Sequence, residues 1–217
     1  MANMKKYIAH SDKIKRYLQY YNAMLGNLRI IMIHEFTPVK LKALKSIVTE
    51  LDVLTWDDGL LSQYACIKSM CDVGATCFVG ITTGIAETAS RQAETKEYTP
   101  VIDIKCDEAH RVYRESGDAG AYMTWEHIKD LEASGAIIVG HGHQHIDVRN
   151  LPIVEQGQLV MKDTVDMRSS FMVNLGYTPS GYIYPYNYSK GILDAVIKSY
   201  GHSVRFGSER VAVETLL

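Results

Sequence analysis

Apolar residues recur along this chain in two alternating rhythms. Short unbroken runs, LRIIMI at 28–33, DVLTW at 52–56, ATCFVGI at 75–81, AIIVG at 136–140 and GYIYPY at 181–186, are rich in Ile, Val and aromatic residues and read as buried strands. A last strand is expected near Val204. Between these runs lie segments with helical spacing, at 39–51, 60–72, after Thr124, at about 161–175 and at about 189–200. Thr124 suits a helix N-cap, and Gly135 and Gly176 suit helix ends. Strands alternating with helices predict an α/β fold with a mainly parallel sheet. Ile14, Leu18, Tyr21 and Leu25 share a helical face, which predicts a helical extension over 1–27 ahead of one domain over 28–217. Residues 83–122 break the rhythm. They are polar, carry charges of both signs, and offer only VIDI at 101–104 as a short strand within a long excursion.

The polar motifs fall where strands end, the place where parallel α/β folds gather their active sites. TWDDG at 55–59 closes the second run. Side chains alternate along a strand, so Asp57 and Asp58 face different ways, and Gly59 lets the chain turn off sharply. The same residues also suit a plain turn with a helix N-cap. HGHQH at 141–145 follows the fourth run. Three imidazoles in five residues point to a metal. A helical turn would put His141 and His145 on one face with His143 elsewhere; an extended chain would align all three. A carboxylate with two histidines leaves open coordination positions, as catalytic centres do. Asp58 as ligand with Asp57 as general base toward an activated water fits that need. YIYPYN at 182–187 reads either as packing or as a pocket wall, with Tyr184 and Pro185 against substrate and the Tyr186 backbone N–H aimed at an oxyanion.

Composition narrows this picture by exclusion. The formal charge of -2 shows no basic excess for nucleic acid and no acidic disordered tail. Cys66, Cys71, Cys77 and Cys106 match no CxxC spacing and read as free, buried thiols. No run approaches the ~20 apolar residues of a membrane span, and the first residues lack a signal-type apolar stretch, so a soluble cytoplasmic protein is expected.

Taken in order, TWDDG, GHGHQH and YIYPYN resemble the three motifs of the polysaccharide deacetylase family, the NodB-homology carbohydrate esterases. VGATCFV at 73–79 and the lead from Met123 to His145 resemble the same family, and IMIHEF at 31–36 is similar to a segment upstream in some members. The resemblance runs over about 28–213 with a gap at 83–122. It implies a distorted (β/α) barrel of about seven strands that binds a divalent metal, most usually zinc. It makes Asp58, His141 and His145 the metal ligands, Asp57 the base and Tyr186 the oxyanion donor, in hydrolysis of an acetamide on an acetylated carbohydrate.

Three departures qualify the match. Gly142 stands where the family has Ser or Thr, which removes a supporting hydrogen bond. Ile183 stands where an Arg usually steadies the base. The late Leu-x-x-His motif that supplies a general acid is missing; His202 lacks its context, SERVAV at 208–213 resembles an Arg-Val/Ile ending of short members, and His143 is then a candidate proton donor. Three other readings compete: an amidohydrolase His-x-His pair, in which His145 has no ligand role; a degenerate barrel that binds metal or glycan without turnover; and a plain structural α/β domain, which requires all three motifs to be accidental.

Overall fold

The computed structural model describes residues 29–36 and 38–216, so the helix expected over 1–27 lies outside the described residues. The chain alternates strand and helix: β1 (Arg29–Ile33), α1 (Pro38–Ile47), β2 (Asp52–Trp56), α2 (Tyr64–Asp72), β3 (Thr76–Ile81), α3 (Thr83–Glu94), α4 (Cys106–Ser116), α5 (Trp125–Ala133), β4 (Ile137–Gly140), α6 (Ile153–Leu175), β5 (Gly181–Ile183), α7 (Ile192–Ser199), β6 (Val204–Phe206) and β7 (Val211–Ala212).

The seven strands form one sheet in the order β6-β5-β4-β3-β2-β1-β7, with every neighbouring pair parallel. The sheet curls. Phe78 on β3 and Phe206 on β6 stand three strands apart, a separation of about 14 Å in a flat sheet, yet their rings meet edge to face at 4.9 Å. Ile30, Val53, Val139 and Ile183 complete this inner cluster, each from a different strand. A larger core, including Trp56, Met70, Trp125 and Phe171, lies between sheet and helices. The strands are therefore apolar on both faces, as their continuous runs predicted. The result is an incomplete, distorted (β/α) barrel with β6 and β7 at its two ends.

Residues 83–122 differ from expectation. The segment holds two helices, α3 and α4, and VIDI forms no strand. Both helices are polar overall, because the inward stripes are not large aliphatics and the outward faces are charged. On α3 the inward stripe includes Ile85, Ala86 and Ala89, and on α4 it is Cys106, Ala109 and His110. α6 also begins earlier than its sequence pattern indicated, at Ile153, because that first stretch keeps Ile153 and Val154 exposed and blurs the period. Thr124 caps α5 as expected, its side chain accepting from the His127 N–H in a reciprocal capping box. No described helix is long and apolar enough to cross a membrane.

Candidate functional site

The carboxyl ends of β1, β2, β3 and β4 are laced together by backbone and side-chain bonds. The Asp57 N–H donates to the Ile33 carbonyl (3.0 Å) and the His141 N–H to the Ile81 carbonyl (3.0 Å). Buried Gln63 donates through Nε2 to the carbonyls of both His34 (2.6 Å) and Asp57 (2.7 Å). Among the described residues, five non-glycine positions have positive φ, and four of them, Asp58 (73°), His145 (50°), Tyr186 (57°) and Asn187 (56°), sit at this end of the barrel. Such backbone costs about 1–3 kcal/mol per residue and collects at functional sites.

The turn at Asp58 and Gly59, with φ of 73° and 75°, swings consecutive carboxylates to different partners. Asp58 is 2% exposed. Its Oδ1 lies 3.1 Å from His110 Nε2, 3.2 Å from His141 Nε2 and 3.1 Å from His145 Nε2. Its Oδ2 accepts from the Cys106 thiol at 3.1 Å. Burial alone would raise the Asp58 pKa, but the three imidazoles hold it well below the usual carboxylate range. Burial, reinforced by the Asp58 charge, pushes the Cys106 thiol far up, so it stays a donor.

This donor set fits a metal cation. A carboxylate oxygen cannot accept three N–H bonds in good geometry, since it has two lone pairs. His141 Nδ1 lies 2.9 Å from the Ile183 carbonyl, an acceptor only, so Nδ1 carries the proton. The Nε2 of a neutral His141 then presents a lone pair to Asp58, which is the tautomer of a metal ligand. The buried Nδ1 of His145 has no hydrogen-bond partner among the described residues. The ligand atoms of Asp58, His110 and His145 all lie within 4.8 Å of one another.

Asp57, 1% exposed, is held apart from this cluster. Its Oδ1 accepts from Arg210 Nη1 at 2.6 Å, and its Oδ2 lies 3.5 Å from His34 Nε2. Arg210 is itself buried and bonds Thr55 Oγ1 (3.1 Å), the Gly207 carbonyl (3.1 Å) and Asn187 Oδ1. An arginine from the chain's last segment thus reaches the carboxylate that lacks an Arg at position 183. Arg210→Met leaves the Asp57 carboxylate buried without its counter-charge and is expected to cost about 3–5 kcal/mol. The midpoint of urea unfolding measures this, and Arg210→Lys should lose less.

His141 and His145 both turn to Asp58, whereas His143 faces the other way, its Nδ1 2.8 Å from Thr83 Oγ1. Gly142, with φ of 81°, makes this division possible. A Cβ there would sit 2.7 Å from Asp163 Oδ2. That buried carboxylate accepts from the backbone N–H groups of His143 and Gln144, both at 2.8 Å. Asp163 therefore holds the histidine loop in place of the hydroxyl that Gly142 lacks. Restoring the family's residue with Gly142→Ser should destabilise by about 1–3 kcal/mol, because a side chain at this φ is strained and meets Asp163. Urea unfolding with parallel metal titration checks it.

Tyr186 meets His145 at 4.7 Å with its ring tilted by 52°, and the Arg149 guanidinium covers its ring at 4.3 Å. Pro185 lies beside it in the short turn Pro185–Asn187. Tyr184 fits the packing alternative of its segment. It is 3% exposed, packs on Tyr182, and donates its hydroxyl to Asp194 at 2.6 Å. His202 is fully buried against Tyr182, away from the cluster, and burial lowers its pKa to about 4. An open cleft of about 550 Å³ lies over the site, lined by His34, Glu35, Asp58, His110, His145 and Tyr186 among others. His110, Arg210 and the setting of Cys106 escape a reading of the sequence. The one local hint is that Cys106 and His110 are four apart, hence on one helical face.

No protein-family model matches the sequence, and no curated protein matches it closely enough to count as a relative. Solved structures do match in fold. IcaB from Ammonifex degensii superposes with a TM-score of 0.59 at 18% identity, over 86% of this chain and 85% of that one. The BpsB deacetylase domain from Bordetella bronchiseptica gives 0.59 at 13% identity, over 85% and 94%. The de-N-acetylase from Aggregatibacter actinomycetemcomitans gives 0.54 at 14% identity, over 90% and 80%. At these identities the likeness establishes that the chain has the polysaccharide deacetylase fold.

Proposed function

We propose that this chain is a metal-dependent hydrolase that removes N-acetyl groups from an acetylated sugar or polysaccharide. The observation that carries the reading is the division of labour between two adjacent buried carboxylates, Asp58 enclosed by imidazoles and Asp57 held apart by Arg210. A metal-assisted hydrolysis needs that pairing of ligand and free base. The fold shared with IcaB and the BpsB deacetylase domain supports the same chemistry.

Asp58, His141 and His145 would hold a divalent ion, zinc being consistent with N and O ligands of this kind. When bound, the ion supplies Lewis acidity toward the acetyl carbonyl and the attacking water. Arg210 fixes one Asp57 oxygen and leaves the other to accept the water's proton. The Tyr186 backbone N–H stabilises the charge developing on the acetyl oxygen. His34, near Asp57 and 39% exposed in its side chain on the cleft, is placed to protonate the leaving amine. Tyr186, 38% exposed and next to Pro185, borders the cleft, and its uncovered edge is available to a sugar.

The test measures bound metal and acetate release from N-acetylglucosamine oligomers in the wild type. About one metal per chain with acetate release supports the proposal. A folded protein that takes up no added zinc, cobalt or nickel sinks it. The degenerate-barrel reading draws on the crowding of Asp58 by His110 and Cys106, and it predicts bound metal with no release from any acetylated glycan.

A further inference from the structure

We propose that the metal centre has a third imidazole ligand, His110 from α4, making its ligand set one carboxylate and three histidines. The inference rests on the proposed metal binding at Asp58, His141 and His145, and adds a residue outside the motifs that carry that reading. His110 Nε2 is 3.1 Å from Asp58 Oδ1, the same distance as His145 Nε2 and as close as His141 Nε2 at 3.2 Å. Ligands bound at about 2.0–2.1 Å in a tetrahedron stand about 3.3–3.4 Å from one another. All three imidazoles therefore approach the carboxylate at the spacing of co-ligands.

The surroundings of His110 are those of a ligand. Its ring stacks on His145 at 4.4 Å with an 18° interplanar angle, which aims both Nε2 atoms at a common region. Its Nδ1 lies 2.9 Å from the buried Tyr122 hydroxyl, as the His141 Nδ1 lies 2.9 Å from the Ile183 carbonyl. Outer partners of this type fix the ring and tautomer of metal-bound histidine. Cys106, one turn earlier on α4, places its thiol on Asp58 Oδ2, which leaves Oδ1 to face the histidines. The start of α4 is tied to the end of β1, since the Cys106 N–H donates to Glu35 Oε1 at 2.8 Å. His110 is thus held at the cluster from both sides of its helix turn.

With four protein ligands the ion would have a full tetrahedral set, so an ion at ease with higher coordination would suit a centre that must also admit a water.

The experiment loads the whole protein, labelled with ¹⁵N-histidine, with Co(II) and records hyperfine-shifted imidazole N–H signals by NMR. X-ray absorption on the same sample counts bound imidazoles independently of proton exchange. Three imidazoles in the wild type and two in His110→Gln are expected. Tyr122→Phe should keep three and displace one N–H signal. Two imidazoles in the wild type would overturn the proposal and leave the metal reading standing. Failure of the folded wild type to retain cobalt would overturn both. If His110→Gln does not fold, the wild-type count still decides.

Discussion

His141→Ala should abolish acetate release and lower bound metal well below one per chain. The ring is 1% exposed in its side chain and lies between Asp58 Oδ1 and the Ile183 carbonyl. Losing a ligand weakens the hold on the ion and with it the chemistry that the ion supplies. Metal analysis paired with an acetate assay reads both losses at once. Retention of full metal and turnover by His141→Ala would remove the centre described above.

Asp57→Asn separates the base from the metal. Turnover should fall by about a hundredfold to ten-thousandfold, the usual contribution of a positioned general base, with bound metal unchanged. Asparagine keeps the shape of the side chain and an oxygen for the Arg210 guanidinium, but it cannot accept a proton at neutral pH. It also removes the negative partner of Arg210 and leaves that guanidinium buried, so some stability is lost as well. A fall in kcat with retained metal in Asp57→Asn, against loss of metal in His141→Ala, assigns the base and the metal centre separate work. Unchanged turnover in Asp57→Asn would place the base elsewhere, and His34 beside it would be the next group to test.

The sequence by itself determined the α/β class, the parallel sheet and the positions at which polar motifs end apolar strands. Those features are local. A buried parallel strand must be apolar on both faces, and aspartates or three histidines at its end stand out against that run. It also marked Asp57, Asp58, His141 and His145 as one constellation. Whether His143 shares the face of His141 and His145 the residue pattern alone left open, and only the resemblance chose, because that choice depends on Gly142 at φ 81° and on the Asp163 carboxylate of α6, which is distant in sequence. Nor did it set Tyr184 apart from Tyr186, a division made by Asp194 on α7.

Only tertiary structure placed His110 and Cys106 against Asp58 and Arg210 against Asp57. His110 lies in CDEAHRVYRES, whose charges read as a solvated surface, and its inward stripe of Cys106, Ala109 and His110 has little of the hydrophobic signal that marks a core helix. Arg210 stands in the Arg-Val ending SERVAV, but nothing local in that segment says that it is buried against Asp57. The physical reason is common to both. A side chain's function here follows from which charge it meets after packing, and that meeting spans 52 positions for His110 and 153 for Arg210.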